Sequence, residues 1–196
     1  MTSAELKAFE QKVAQAFENK ECKGPVHLSG GNEDQLIEIF QHIKRSDYVF
    51  ATYRNHYHAL LHGIPEDWLM EEIKAGRSMN ISSPKHKFFT SAIVGGTLPI
   101  AVGVSAALKR KKSKYKVWCF VGDMASTTGA FHEARQYAMN QDLPIMFVIE
   151  DNGLSCNSPT WECWGIPATR GYGDKRLSYS YERAWPHVGI GRYVQF

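Results

Sequence analysis

The chain has 196 residues, 43% hydrophobic and 22% charged, with a formal net charge of +3 at pH 7. That balance supports one globular domain with a sizeable core and excludes the weakly hydrophobic, highly charged class of disordered chains. Four cysteines without a CxxC pair or a His at zinc-finger spacing exclude a metal-thiolate site, although Cys156 and Cys163 are near enough in sequence to approach each other. Free thiols in a reducing cytoplasm are the expectation.

Leu6, Phe9, Val13 and Phe17 recur at helical spacing, which predicts an amphipathic N-terminal helix rather than a basic-then-apolar leader. Asn32 is the candidate N-cap of a second helix carrying Leu36, Ile37, Phe40 and Ile43, followed by a strand over Tyr48-Val49-Phe50-Ala51. Tyr53 and Arg54 then fall just past a strand end, with His56 and His58 beside them as candidates to shuttle protons. Pro65 suits the first turn of a helix bearing Trp68, Leu69 and Ile73 that stops at Gly76. Residues 77–92, rich in Ser, Lys and Pro, read as a loop able to close over a ligand, and His86 within it is a third catalytic candidate. The apolar run from Ile93 to Leu108 contains three glycines and a proline and is too short to span a bilayer. Within it, Pro99 to Lys109 reads as a helix dense in small residues. The basic cluster Lys109-Arg110-Lys111-Lys112 with Lys114 and Lys116 is expected to favour that helix's C-terminal dipole rather than bind nucleic acid.

The segment from Val117 onward is the most specific. An apolar strand, Val117 to Val121, leads through Gly122-Asp123 into a helix with Phe131, Ala134, Ala138 and Met139 on one side; a second apolar strand, Pro144 to Ile149, follows. This spacing predicts a right-handed βαβ unit with Asp123 and Asn152 at neighbouring strand ends, the edge where ligands bind in open α/β sheets. A diphosphate there needs its charge neutralised, and Mg2+ does so through a shell of oxygens. Asp123 and Asn152 supply side-chain oxygens and Leu154 a carbonyl. Gly122 allows close approach of backbone to ligand, and the helix starting near Gly129 aims its amide dipoles at the same crevice.

The runs Gly122-Asp123-Met124-Ala125, Gly129 to Ala134 and Glu150-Asp151-Asn152-Gly153 resemble the thiamine diphosphate motif in alpha subunits of 2-oxo acid dehydrogenases. The resemblance covers about residues 33 to 165. Tyr53-Arg54 resembles the family's Tyr-Arg pair, which implies contact with the cofactor's ring and diphosphate. Ile93-Val94-Gly95-Gly96 resembles the segment whose backbone meets the aminopyrimidine, with Val94 at the contacting position. The resemblance implies an α/β, thiamine diphosphate-binding fold of the diphosphate-domain type, its mostly parallel sheet flanked by helices. Thiamine diphosphate and Mg2+ are the implied cofactors, and Gly122, Asp123, Met124, Ala125, Asn152 and Leu154 the loop that holds them. The organisation expected is a diphosphate-binding domain over 1–165 and an aromatic tail over 166–196, docked on that domain or on a partner.

Two departures bear on function. Met124 stands where the family usually has Gly, and Asp151 where it often has Asn. Family members also continue with a later loop whose His and Arg hold the phosphates; here that role falls to another segment, to the partner, or to nothing at all. The family's activating Glu lies on a separate pyrimidine-binding beta chain, so the resemblance implies an obligate beta-type partner in an α2β2 assembly acting on a small 2-oxo acid. Ketol transfer and a non-catalytic scaffold subunit are the alternatives. A nicotinamide enzyme is disfavoured, since the first strand-turn lacks GxGxxG.

Overall fold

Helix α1 (Ser3–Glu18) begins at a complete capping box, in which the Thr2 hydroxyl accepts from the Glu5 amide and the Glu5 carboxylate from the Thr2 amide. Its expected stripe is buried, with Leu6, Phe9, Val13 and Phe17 all under the surface. The structure is a computed structural model and describes residues 1–165 and 176–194. The chain divides into two compact units, one of residues Met1–Arg45, Tyr53–Thr90 and from Glu182 on, the other of Ser46–Thr52 and Ser91–Tyr181.

The first unit is largely helical. After α1 come α2 (Glu33–Phe40), then β1 (Tyr48–Ala51) of the other unit, then α3 (His56–His62) and α4 (Glu66–Glu72). Asn32 precedes α2 but makes no side-chain cap; the Glu33 carboxylate instead accepts from the Gly31 amide. A π-helical turn, Ile73–Arg77, ends at Gly76, where φ of 85° needs a residue without a Cβ. The stretch expected as a loop holds a short antiparallel hairpin, β2 (Ser82–Ser83) and β3 (Phe88–Thr90). Ile81 and Phe88 anchor it in the core, and the Thr90 hydroxyl ties it by accepting from the Ile81 amide at 2.8 Å and donating to the Met79 carbonyl at 3.0 Å. Two buried residues seven positions apart are too sparse a pattern to announce strands.

The second unit is the sheet. Its elements are β1, α5 (Thr97–Arg110), β4 (Val117–Gly122), α6 (Gly129–Asn140), β5 (Ile145–Asp151), β6 (Leu154–Ser155), β7 (Ser158–Pro159), α7 (Thr160–Trp164) and β8 (Arg176–Ser180). Strands β1, β4, β5 and β8 lie in that order and all pair in parallel, Tyr48 opposite Val117, Val117 opposite Ile145 and Phe147 opposite Arg176. The central strands are apolar over residues 117–121 and 145–149 because both faces are covered: Val117, Cys119, Phe120 and Val121 of β4 and Phe147, Val148 and Ile149 of β5 are all at most 1% exposed. Helix α5 packs on β1, β4 and β5 and against α6. The expected α/β fold with a mostly parallel, helix-flanked sheet is thus present.

Some details differ from expectation. α5 starts at Thr97, because Pro99 in its first turn has no amide to leave unpaired. In α6, Phe131, Ala134 and Ala138 are buried but Met139 is 36% exposed, since it lies about 100° round the helix from Ala138. Of the expected tail, Arg176–Ser180 forms β8, and residues 166–175 and 195–196 lie outside the described residues. Among the described residues no helix is long and apolar enough to cross a membrane.

Candidate functional site

In the sheet unit, β4 ends at Gly122 opposite Glu150 of β5, so Asp123 and Asn152 follow on adjacent strand ends as the spacing predicts. Asp123 is 1% exposed, and its Oδ2 accepts a short hydrogen bond from the Thr160 hydroxyl. Burial pushes its carboxyl above the usual carboxylate range; the Thr160 hydroxyl opposes this, Asp151 adds to it, and the backbone amides of Asp123 and Met124 pull the other way. Asn152 closes an Asx turn in which its Oδ1 accepts from the Leu154 amide at 3.0 Å, while its Nδ2 donates to the Tyr181 hydroxyl at 3.1 Å. Leu154 opens the short β6–β7 hairpin, and β6 packs against the 3-10 turn Met124–Thr127.

Met124 follows Asp123 on this edge. Its φ is negative, so no glycine is required there, and its sulfur accepts from the Trp164 indole N–H at 2.9 Å. Ala125 is buried, its carbonyl accepting from the Thr128 hydroxyl at 2.7 Å. Gly122 and Gly153 are each placed so that an added Cβ would meet no atom within 4 Å, and Gly153 additionally holds φ of 70°. Val94 sits in the turn before α5, 58% exposed, where the Gly96 amide donates to the Ile93 carbonyl at 3.0 Å.

Two observations fit a divalent cation bearing a diphosphate here. A buried carboxylate has, among the described residues, no cation against it, and the backbone beside it at Gly122 borders open space. A solitary buried charge is costly unless something neutralises it. Among the described residues no group of three or more His, Cys, Asp or Glu is disposed to hold a metal. A metal at Asp123 would draw the rest of its shell from neutral oxygens, and those of Asn152, the Leu154 carbonyl, water and phosphate are the mixed set that Mg2+ accepts.

The remaining predicted residues lie in the helical unit. Arg54, 7% exposed, donates through Nη1 to the Leu28 carbonyl and through Nη2 to the His187 carbonyl at 3.1 Å. Tyr53 packs edge-on with His27, ring centroids 4.5 Å apart, and with His187 at 5.8 Å. His56 is fully buried, Nδ1 bonded to Glu10 at 2.9 Å and Nε2 to the Ser78 hydroxyl at 2.9 Å. His58 is buried edge-on against Phe40. His86, half-buried in the hairpin turn, is bonded to Ser83 at 2.8 Å; burial, then Lys85 and Arg45, lowers its pKa.

Sequence reasoning missed four residues that touch these. Thr160 and Tyr181 grip the two proposed metal ligands; a Thr after Pro and a Tyr in a polar run carry no signal by themselves. His27 and His187 flank Tyr53 and Arg54, and burial beside the Arg54 guanidinium drives His27 down to about 3.

A parallel sheet with an Asp and an Asn at adjacent strand ends defines an α/β protein of the open-sheet class, whose ligands bind at that edge. Residues 1–169 match the family model of the dehydrogenase E1 component, and the chain belongs to that family. It is 34% identical over 165 residues to the alpha subunit of acetoin:2,6-dichlorophenolindophenol oxidoreductase of Bacillus subtilis, covering 79% of this chain and 50% of that protein. It is 32% identical to the pyruvate dehydrogenase E1 component subunit alpha of Porphyra purpurea, over 74% of this chain and 47% of that protein. The chloroplastic subunit alpha-3 of Arabidopsis thaliana is 31% identical, over 74% of this chain and 38% of that protein. The chain spans about half the length or less of these curated relatives. The resemblance carried by Gly122-Asp123 and Glu150 to Gly153 is borne out.

Proposed function

We propose that this chain is the alpha-type, diphosphate-binding subunit of a thiamine diphosphate- and Mg2+-dependent enzyme that decarboxylates a small 2-oxo acid and transfers or ligates the resulting unit. The observation that carries this is the buried Asp123 carboxylate, without a cation against it among the described residues, next to Asn152 and the space at Gly122, in a chain of the E1 family. Asp123, Asn152 and the Leu154 carbonyl hold the metal. Gly122, Met124 and Ala125 present backbone to the diphosphate, Tyr53 and Arg54 serve its ring and phosphate ends, and Val94 meets the pyrimidine. When bound, the cofactor supplies the electron sink that stabilises a carbanion next to a departing carboxylate. Of the three histidines, His86 alone is not buried and is the one suited to move a proton; His56 and His58 act by shaping the segment after Arg54.

A beta-type partner supplies the activating Glu in an α2β2 assembly, a reading supported by the relatives that are named as alpha subunits. Free cysteines throughout favour a reducing, cytoplasmic location. The basic cluster supports no nucleic-acid role: Lys109 and Arg110 close the last turn of α5, and Lys109 donates to the Gln141 carbonyl at 2.6 Å. The turn of Met124 toward Trp164 weakens the scaffold alternative.

The test is calorimetric titration of thiamine diphosphate with Mg2+ into the chain co-purified with its partner. Saturable binding that needs the metal and vanishes in Asp123→Ala supports the reading, and a complex that takes up neither compound refutes it.

A further inference from the structure

Both side chains assigned to the metal are gripped by hydroxyls from later in the chain. Thr160, 2% exposed, is fixed by its own amide, which donates to the Gly153 carbonyl at 2.9 Å, and its hydroxyl donates to Asp123 Oδ2. Tyr181 follows β8, and its amide donates to the Asp151 carbonyl at 2.9 Å, which extends the parallel pairing of β8 with β5 by one step. Its phenol oxygen accepts from Asn152 Nδ2 at 3.1 Å.

These bonds settle orientation. The Leu154 amide can only donate, so the Asn152 atom facing it must be the oxygen. Tyr181 then holds the NH2 end, and the carboxamide cannot flip without losing the Leu154 amide. The oxygen, with one lone pair used by Leu154, keeps a second for a cation. On Asp123, Thr160 takes one oxygen and so sets the carboxylate plane. Outer groups of this kind hold metal ligands in the angle that binding needs, and losing one costs metal affinity with little change in the fold.

We propose that Thr160 and Tyr181 are positioning residues of the metal site, a hydroxyl pair that pre-orients Asp123 and Asn152. The inference rests on the function proposed above and adds that the affinity of the site for a divalent cation is set by two residues outside its motif. Tyr179 is the internal control. It lies on the same strand, and its hydroxyl donates to Glu150 rather than to a metal ligand, at 2.5 Å.

The experiment measures Mn2+ binding to the partner complex at saturating thiamine diphosphate, with free Mn2+ read by electron paramagnetic resonance and the metal-free melting midpoint recorded for each variant. Thr160→Val and Tyr181→Phe should weaken Mn2+ about 10- to 100-fold. Thr160→Ser should restore wild-type affinity, and Tyr179→Phe should bind as wild type does. Equal affinity in wild type, Thr160→Val and Tyr181→Phe would overturn the proposal while leaving the metal site standing. So would a loss that Thr160→Ser fails to restore and that follows a lowered melting midpoint. If wild type binds no Mn2+ and matches Asp123→Ala, the metal site itself falls and takes this proposal with it.

Discussion

The two units hold their buried carboxylates differently. In the helical unit these are tied to neighbouring side chains: Glu10 accepts from the Ser29 amide at 3.0 Å and from His56, His56 reaches Ser78, and the Tyr57 hydroxyl donates to Glu33 at 3.0 Å. In the sheet unit the corresponding carboxylate, Asp123, is held by a hydroxyl and backbone amides and, among the described residues, meets no cation. A carboxylate tied to several side chains holds helices in place, whereas a buried one at a strand end without a charged partner among the described residues is a candidate to bind a cation. A Ser-His-Glu alignment is therefore no guide to catalysis when all three members are buried, and the lone Asp at a strand end is the better guide.

The contrast can be broken most decisively at Glu10. Glu10→Ala strands the Ser29 amide and His56 and should destabilise the protein by about 3–5 kcal/mol in urea unfolding; a loss below about 1 kcal/mol would mean that Glu10 does not hold the helices in place. Asp123→Ala should behave oppositely. Metal-dependent cofactor binding falls more than about 100-fold, beyond what outer-shell partners contribute, while stability holds or rises because a desolvated charge is gone.

A smaller effect sharpens the picture at His27. Its pKa falls to about 3 in the fold against an ordinary value of 6.5, chiefly through burial and then Arg54. The unfolded chain thus binds the proton more readily, so this contribution is complete above about 6.5 and is lost as pH falls toward 3. Urea midpoints taken from pH 7 to pH 4 should drop, and His27→Gln should flatten the slope. Smallest of all is Glu66→Ala, which removes the exposed pair with Lys12 and should cost less than about 0.5 kcal/mol by the same measurement.

Much of this architecture was legible from local pattern. The apolar runs of β4 and β5, the stripe of α1 and the Gly122-Asp123 turn each state their role within a few residues, because a twice-covered strand or one buried helix face dictates composition at short range. The rest depends on partners far apart in sequence. His56 lies 46 positions from Glu10 and 22 from Ser78, so its enclosure is invisible in the turn that contains it. Thr160 is 37 positions from Asp123. Strand β8, Arg-Leu-Ser-Tyr-Ser, escapes notice because as an outer strand it has one neighbour and keeps polar residues, with Leu177 40% exposed.

That outer position carries a practical consequence. The family match ends at residue 169, a natural place to trim the chain, yet β8 begins at Arg176. Cutting there would strip the cover from β5 and leave a seven-residue strand, apolar over its first five residues, with a bare row of amides and carbonyls. Such an edge recruits other chains. The trimmed protein should accumulate as aggregates, and the segment that looks like an appendix to the family match is what keeps its innermost strand from meeting its neighbours.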